Sequence, residues 1–141
     1  MKDLLRPVTL FAVILLALAI GCAPVKTQEL IGSYRGKLPA GEEILELLPS
    51  GDCVQEIHLK DGKTYSARGH WRYDMKNRYL HLDGTRIPLN GFGEMNPDIA
   101  RVPEGGTGSL PIKKRLFGGI EIGASEDVML RKMRDKEPEK R

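Results

Sequence analysis

Two histidines and an aspartate come nearest to the composition of a metal site: His70, His81 and Asp83. In the antiparallel register that the inward-facing residues of their strands favour, His70 lies opposite Asp83 and diagonal to His81, with about 7–8 Å between the histidine Cα atoms. The three side chains could then hold a divalent copper or zinc ion. Arg72 would lie opposite His81 and repel a cation, and a structural zinc site needs four ligands. A solvated polar face is therefore favoured, and no metal or other cofactor is expected.

A cluster of carboxylates offers a second chemistry. Glu42, Glu43 and Glu46 lie at the start of a predicted strand, with Glu42 and Glu46 on one face. Paired carboxylates can catalyse glycoside hydrolysis, but no aromatic residue nearby could stack on a sugar. The chain also contains no G-x-S-x-G, H-E-x-x-H or P-loop motif. The sequence therefore predicts a protein that is not an enzyme.

The N-terminus has the layout of a secretory signal. Lys2 and Arg6 precede the uncharged apolar run 8–20, and small residues follow it. The run is shorter than the roughly 20 apolar residues of a bilayer-spanning helix. A cleaved signal peptide over residues 1–21 is therefore favoured over an uncleaved anchor helix.

Residues 19–22, Ala-Ile-Gly-Cys, resemble the lipobox of bacterial lipoproteins, although its first position is usually Leu. The resemblance implies that the Cys22 thiol receives a diacylglycerol and that the chain is cut before Cys22, whose amine is often acylated. Two or three acyl chains anchor a protein stably, whereas one binds only marginally. Ala23 replaces the Asp that commonly retains such proteins in the inner membrane, which implies a periplasm-facing outer-membrane location. Residues 22–29 are expected to form the lipidated N-terminus and a tether.

The composition of the chain excludes some partners. The chain has 22 basic and 19 acidic residues and a formal net charge of +3, a balance that does not indicate a nucleic-acid partner. Its length allows one small domain. Cys53 is the cysteine that remains for this domain, and it is expected to fill the core as a small hydrophobe. The alternative for Cys53 is an intermolecular or redox role, because an unpaired thiol is unusual in an oxidising compartment.

In the body of the chain, apolar and polar residues alternate with period two in short segments, and turn residues separate these segments. This pattern is typical of antiparallel strands. Residues that lie opposite each other on paired strands must point to the same face of the sheet. This requirement favours two three-residue hairpin loops, 49–51 and 60–62. Each loop has glycine third, where a type I turn with a G1 bulge needs a left-handed residue. The predicted partners are Leu47 with Cys53, Leu45 with Gln55, Gln55 with Ala67, Ile57 with Tyr65, Trp71 with Leu82 and Tyr73 with Leu80.

The predicted strands lie near residues 30–38, 43–48, 52–59, 63–73, 79–83, 85–89, 112–117, 119–123 and 127–133. The segment 90–111 is rich in Gly and Pro and long for a connection, so a functional or disordered loop is expected there. The charged residues 134–141 are expected to form a disordered tail. The fold class that follows for residues 30–133 is all-β, a small antiparallel meander of about seven to nine short strands in a barrel or half-barrel.

The run 32–84 contains G-x-Y-x-G-x-L-P, an L-x-L strand, a Gly turn, a long hairpin, G-x-W and a second L-x-L. It resembles the N-terminal domain of the copper-resistance and envelope-stress outer-membrane lipoproteins, and more loosely other small lipocalin-like lipoprotein domains. The matching residues are Gly32, Tyr34, Gly36, Leu38, Pro39, Leu45, Leu47, Gly51, Gly69, Trp71, Leu80 and Leu82. The resemblance implies a lipocalin-like barrel. That family has a C-x-x-C, proposed to bind metal or form a disulfide, where this chain has Ala-Gly-Glu-Glu at 40–43, so no copper or redox site carries over.

The leading hypothesis is an envelope lipoprotein, anchored to the bilayer through diacylglyceryl-Cys22, that acts as a non-enzymatic binding or interaction module. Its partner would be another envelope protein or a small apolar ligand in the barrel mouth. The loop 90–111 is the expected contact region, because loops on a rigid scaffold carry binding. The alternative is a metal-handling envelope lipoprotein that binds copper or zinc through His70 and His81.

Overall fold

The computed structural model describes residues 24–86, 88, 105–115, 118–123 and 129–133. Its elements are a short helix, α1 (Thr27–Leu30), and the strands β1 (Gly32–Leu38), β2 (Gly41–Leu47), β3 (Asp52–Leu59), β4 (Thr64–Asp74), β5 (Tyr79–Thr85), β6 (Gly106–Lys114), β7 (Ile120–Ile122) and β8 (Leu130–Lys132). The predicted signal peptide 1–21, Cys22 and the tail 134–141 lie outside the described residues. Within the described part of the chain, no helix is long and apolar enough to cross a bilayer.

The described strands form a closed antiparallel barrel in chain order, with β8 pairing back onto β1. The ladder between β1 and β8 is short. In the described residues it pairs Tyr34 with Lys132 and Arg35 with Arg131. The predicted all-β barrel is thereby confirmed, and closure selects the barrel over the half-barrel.

The hairpin registers predicted from matching faces are confirmed. Leu47 with Cys53, Leu45 with Gln55, Gln55 with Ala67, Ile57 with Tyr65, Trp71 with Leu82 and Tyr73 with Leu80 are all opposite pairs. Gly51 and Gly62 have φ angles of 88° and 87°, the left-handed region that the third loop position needs. Cys53 and Trp71 are accordingly buried, and the Trp71 indole donates a hydrogen bond of 2.9 Å to the Leu48 carbonyl.

The prediction of two strands at 79–83 and 85–89 was wrong: residues 79–85 form a single strand, β5, and Arg86 and Pro88 lie outside it. Gly84 adopts a φ of 84°, and the register shifts there as the ladder continues from Asp83 to Thr85. A local irregularity of this kind lets a strand accommodate an extra residue without ending.

The expected loop 90–111 ends earlier than predicted, because β6 begins at Gly106. Residues 106–111 pair with β5, from Gly106 opposite Thr85 to Pro111 opposite Tyr79. Glycine has a low strand propensity, but strand propensity depends strongly on context. Here the backbone pairing with β5 outweighs it. Residues 90–104 lie outside the described part of the chain.

The expected tether is described over residues 24–29, and two of its side chains contact the barrel. Val25 and Leu30 are buried in the main core, and the Tyr34 hydroxyl donates a hydrogen bond of 2.7 Å to the Leu30 carbonyl. The Glu29 carboxylate lies 2.8 Å from Lys114 Nζ. Val25 and Glu29 therefore hold this segment against the barrel, and burying the Val25 side chain contributes about 1.5–3 kcal/mol.

The barrel interior has two ends that differ. At the helix end, α1 lies over the main core, which consists of Val25, Leu30, Tyr34, Leu45, Leu47, Cys53, Trp71, Leu80, Leu82, Ile112, Ile120, Ile122 and Leu130. At the other end, here called the mouth end, β1 turns into β2 and β3 turns into β4. A smaller cluster of Leu38 and Ile57, with Leu59 and Tyr65 against it, lies there.

Candidate functional site

A cavity of about 190 Å³ lies inside the barrel toward the mouth end. Much of its wall is apolar, formed by Leu82, Pro88, Gly108, Leu110, Ile122 and Leu130. Four polar or charged residues complete the lining: Glu43, Gln55, Thr85 and Arg86. An apolar pocket with a few placed polar groups is the usual composition of a small-ligand site.

The cavity has room partly because residue 108 has no side chain. Gly108 lies on the same face of β6 as Leu110 and Ile112, which line the interior. A Cβ atom built on Gly108 would meet no other atom within 4 Å. A larger residue at this position would therefore extend into the cavity.

Gln55 organises the polar part of the cavity. Its Oε1 accepts a hydrogen bond of 2.8 Å from the Arg86 backbone N–H. Its Nε2 donates to the Arg86 carbonyl at 3.0 Å and to Glu43 Oε1 at 2.7 Å. Because a backbone N–H can only donate, the contact with Arg86 also fixes which end of the amide is the oxygen. Both Nε2 hydrogens are thus committed, and the Gln55 side chain is held in one orientation.

Glu43 places a carboxyl group in this apolar interior. Its side chain is on the inward face of β2, and the residue is 6% exposed. Burial raises the pKa of Glu43 above its ordinary value, and the hydrogen bond from Gln55 opposes part of that rise. The environment therefore favours the protonated, neutral carboxylic acid.

Arg86 lies where β5 has ended, on the cavity wall at the mouth end. Its guanidinium carbon is 5.5 Å from the centroid of the Tyr65 ring. This distance is within the range of a cation–π contact. A positive charge therefore stands on the lining of the cavity, apart from the Glu43–Gln55 hydrogen bond.

The period-two alternation of the strands indicates which polar residues of this site face inward, whereas no chemical motif in the sequence points to them. Leu45 and Leu47 face inward, so period two places Glu43 inward as well. Gln55 shares the inward face of β3 with Cys53 by the same alternation. The alternation does not show that Glu43 and Gln55, on the neighbouring strands β2 and β3, hydrogen-bond to each other inside the barrel.

The candidate metal ligands stand in the predicted register but are not assembled into a site. His70 lies opposite Asp83, and Arg72 lies opposite His81. His70 Nδ1 is 2.9 Å from the Asp52 carboxylate, whereas His81 Nδ1 is 2.7 Å from the Ser109 hydroxyl. Within the described residues, no group of three His, Cys, Asp or Glu side chains could hold a metal ion.

The two cysteines fall in different parts of the chain. Cys53 is a free, buried thiol in the main core, and burial raises its pKa to about 11. Cys22, the predicted lipid-attachment residue, lies outside the described residues. Comparison of this chain with protein-family models, curated proteins and solved structures found no match.

Proposed function

We propose that this protein is a membrane-anchored envelope lipoprotein whose barrel is a non-enzymatic binding module for a small ligand. The observation that carries the binding role is the cavity of about 190 Å³, which combines apolar walls with the Glu43–Gln55 hydrogen bond. Binding rather than catalysis is supported because the Glu43 carboxyl is engaged by an amide that is itself fixed to the backbone. Catalytic acid–base pairs instead place a carboxyl or imidazole beside a nucleophile.

The anchor rests on the sequence: a basic start, a short apolar run and small residues before Cys22. Two residues, Ala23 and Pro24, would separate the lipidated Cys22 from Val25, which is buried in the barrel core. Such a short spacer keeps the helix end of the barrel next to the bilayer. The mouth end would then face the periplasm, away from an outer-membrane anchor, where ligand has free access.

The anchor is tested by feeding cells an alkyne-tagged fatty acid and detecting label on the purified protein. Wild-type protein and Cys53→Ala are expected to carry the label and to fractionate with membranes, whereas Cys22→Ser carries none. The Cys53→Ala variant is the matched control, because it removes the other thiol. Label that persists in Cys22→Ser would refute lipidation at this residue.

The cavity is tested by titrating toluene and phenol into the lipidated protein in detergent micelles, followed by amide chemical shifts in NMR. Shifts are expected at cavity residues such as Leu110 and Leu130, and they are expected to disappear in Gly108→Leu, whose side chain fills the space. Gly108→Leu also controls for partition of the probes into micelles. Two outcomes would contradict ligand binding in the barrel: cavity shifts that stay the same in Gly108→Leu, and the absence of cavity shifts with both probes.

A further inference from the structure

Resting on the proposed binding role of the cavity, we infer that its ligand is a small neutral molecule, about the size of a phenol, with an oxygen that accepts a hydrogen bond from the Glu43 carboxylic acid. The ligand class is a neutral hydroxyl or carbonyl compound with an apolar body. Ammonium compounds, which would need Glu43 as an anion, are excluded from this class.

The hydrogen-bond directions at Gln55 carry the first step. Both Nε2 hydrogens of Gln55 are used, one by the Arg86 carbonyl and one by Glu43 Oε1. Glu43 Oε1 is therefore an acceptor, and a proton on the neutral carboxyl belongs on Oε2. Oε2–H is then a donor on a side chain that lines the cavity, available to an oxygen of the ligand.

The charges around Glu43 carry the second step. Burial is the main influence on its carboxyl, and it favours the neutral form. Arg86 is the other ionisable residue on the described cavity lining. The neighbouring charged residues of β1 to β3 lie on the outward strand faces: Arg35, Lys37, Glu42, Glu46, Glu56 and His58. On β8, Arg131 is exposed, whereas Lys132 lies opposite Tyr34 and donates to the Glu29 carbonyl at the helix end. Tyr65, from β4, contacts Arg86.

The size and walls of the cavity carry the third step. An apolar cavity of about 150 Å³ holds one benzene molecule, and this cavity measures about 190 Å³. A six-membered ring with one polar substituent is therefore the scale of ligand that fits. Leu82, Leu110 and Leu130 would surround its body, while Glu43 takes its oxygen.

The test compares phenol, toluene and benzylamine, which share a ring but differ in the group presented to Glu43. Affinities for the full lipidated protein are measured by NMR titration in micelles, and binding is counted only where Gly108→Leu abolishes it. Phenol is expected to bind about tenfold more tightly than toluene, since a hydrogen bond to a buried group contributes about 1.4 kcal/mol. Benzylamine, protonated at neutral pH, is expected to bind more weakly than phenol.

Glu43→Gln separates the neutral acid from the anion. Its amide can accept from Gln55 and donate to the ligand as the protonated carboxyl does, so phenol affinity should stay within about threefold, well under the tenfold effect of a lost hydrogen bond. Wild-type affinity for benzaldehyde, whose carbonyl oxygen only accepts a hydrogen bond, should fall as pH rises through the carboxyl pKa, and that of Glu43→Gln should not. Glu43→Leu should abolish the preference for phenol over toluene.

Two results are decisive against this inference and distinguishable from failure of the binding role. If benzylamine binds more tightly than phenol and Glu43→Gln abolishes its binding, Glu43 acts as an anion and the inference is overturned while the cavity remains a ligand site. If phenol and toluene bind equally, the carboxyl is not used. If none of the three probes binds in a Gly108-dependent manner, the proposed binding role itself fails.

Discussion

The side chain of Gln55 pairs with the backbone of Arg86 as a neighbouring strand would, accepting from its N–H at 2.8 Å and donating to its carbonyl at 3.0 Å. The two residues are 31 positions apart in the chain. β5 ends at Thr85, so Arg86 lies beyond the ladder that pairs β5 with β6. The amide thus satisfies both backbone polar groups of Arg86, which would otherwise need another partner.

We expect Gln55→Leu to lower the free energy of unfolding by about 1–3 kcal/mol, because it leaves buried polar groups of Arg86 and Glu43 without their partner. Urea unfolding followed by Trp71 fluorescence measures the change. Glu56→Gln, a half-exposed carboxylate on the same strand, is the matched control and should change stability by less than about 0.5 kcal/mol. A Gln55→Leu stability equal to that of the control would contradict the role assigned to the amide.

Glu43 and Gln55 should be coupled energetically. Glu43→Leu, Gln55→Leu and the double variant form a cycle in which the double variant is expected to be more stable than the sum of the single losses predicts. The difference should be about 1 kcal/mol, as for residues that share a hydrogen-bond network. Additive losses in urea unfolding would show that the 2.7 Å contact contributes no coupling.

The pH dependence of stability should report the buried carboxyl. Its folded pKa is raised above the ordinary value of 4.5, so the folded state holds a proton that the unfolded chain releases at lower pH. The stability that this group contributes is full below about pH 4.5 and is lost as pH rises through the folded pKa. Glu43→Gln cannot ionise and should escape this loss.

The measurement is urea unfolding of wild type and Glu43→Gln across a pH series. The stability of the variant relative to wild type should rise with pH above 4.5 and become constant once Glu43 is ionised in both states. Glu46→Gln, an exposed carboxylate on the same strand, should run parallel to wild type. Parallel curves for Glu43→Gln as well would mean that its pKa is the same in both states.

Cys53 should be unreactive while the protein is folded. Its side chain is 1% exposed, and a pKa of about 11 leaves little thiolate at neutral pH. Labelling with a disulfide reagent, in a Cys22→Ser chain where Cys53 is the remaining thiol, should be slow in buffer and fast in urea. Rapid labelling in buffer would show that this part of the barrel opens readily.

Gly69 should tolerate no side chain, because a Cβ atom there would overlap the backbone carbonyl of Asp83 on β5. Gly69→Ala is expected to cost about 1–3 kcal/mol, as overpacking of a well-packed interior does. Gly108→Ala is the matched control, because a Cβ on Gly108 meets nothing within 4 Å. Thermal unfolding temperatures that fall equally in both variants would remove steric overlap as the explanation.

Much of the barrel followed from alternation and turn chemistry, since both are local signals. Matching of the strand faces selected the three-residue loops 49–51 and 60–62, each with glycine third. The same matching gave the pairs between β4 and β5, Trp71 with Leu82 and Tyr73 with Leu80. The β6 start at Gly106 was missed because Gly and Pro weaken the local signal, while the pairing with β5 that holds this strand comes from a distant part of the chain.

The candidate site was harder to predict than the fold. Glu43 and Gln55 stand on inward faces, but an alternation pattern gives a face and not a partner. Arg86 joins them through its backbone, which has no residue-type signal at all. The His70–His81–Asp83 group shows the opposite case. The register was right, but the His70 ring contacts the Asp52 carboxylate and the His81 ring hydrogen-bonds to Ser109, which residue types alone do not reveal.

The short ladder between β1 and β8 bears on how the barrel folds. The Lys132 ammonium donates to the Glu29 carbonyl across 103 residues of chain, so closure needs contacts of very high sequence separation. The hairpins from β1 to β5 join neighbours and can form early, whereas closure must overcome the loop entropy of almost the whole domain. Until then β1 presents an unpaired edge, which can recruit other chains. Closure of β8 onto β1 is therefore expected to limit the folding rate and to be the step most open to aggregation.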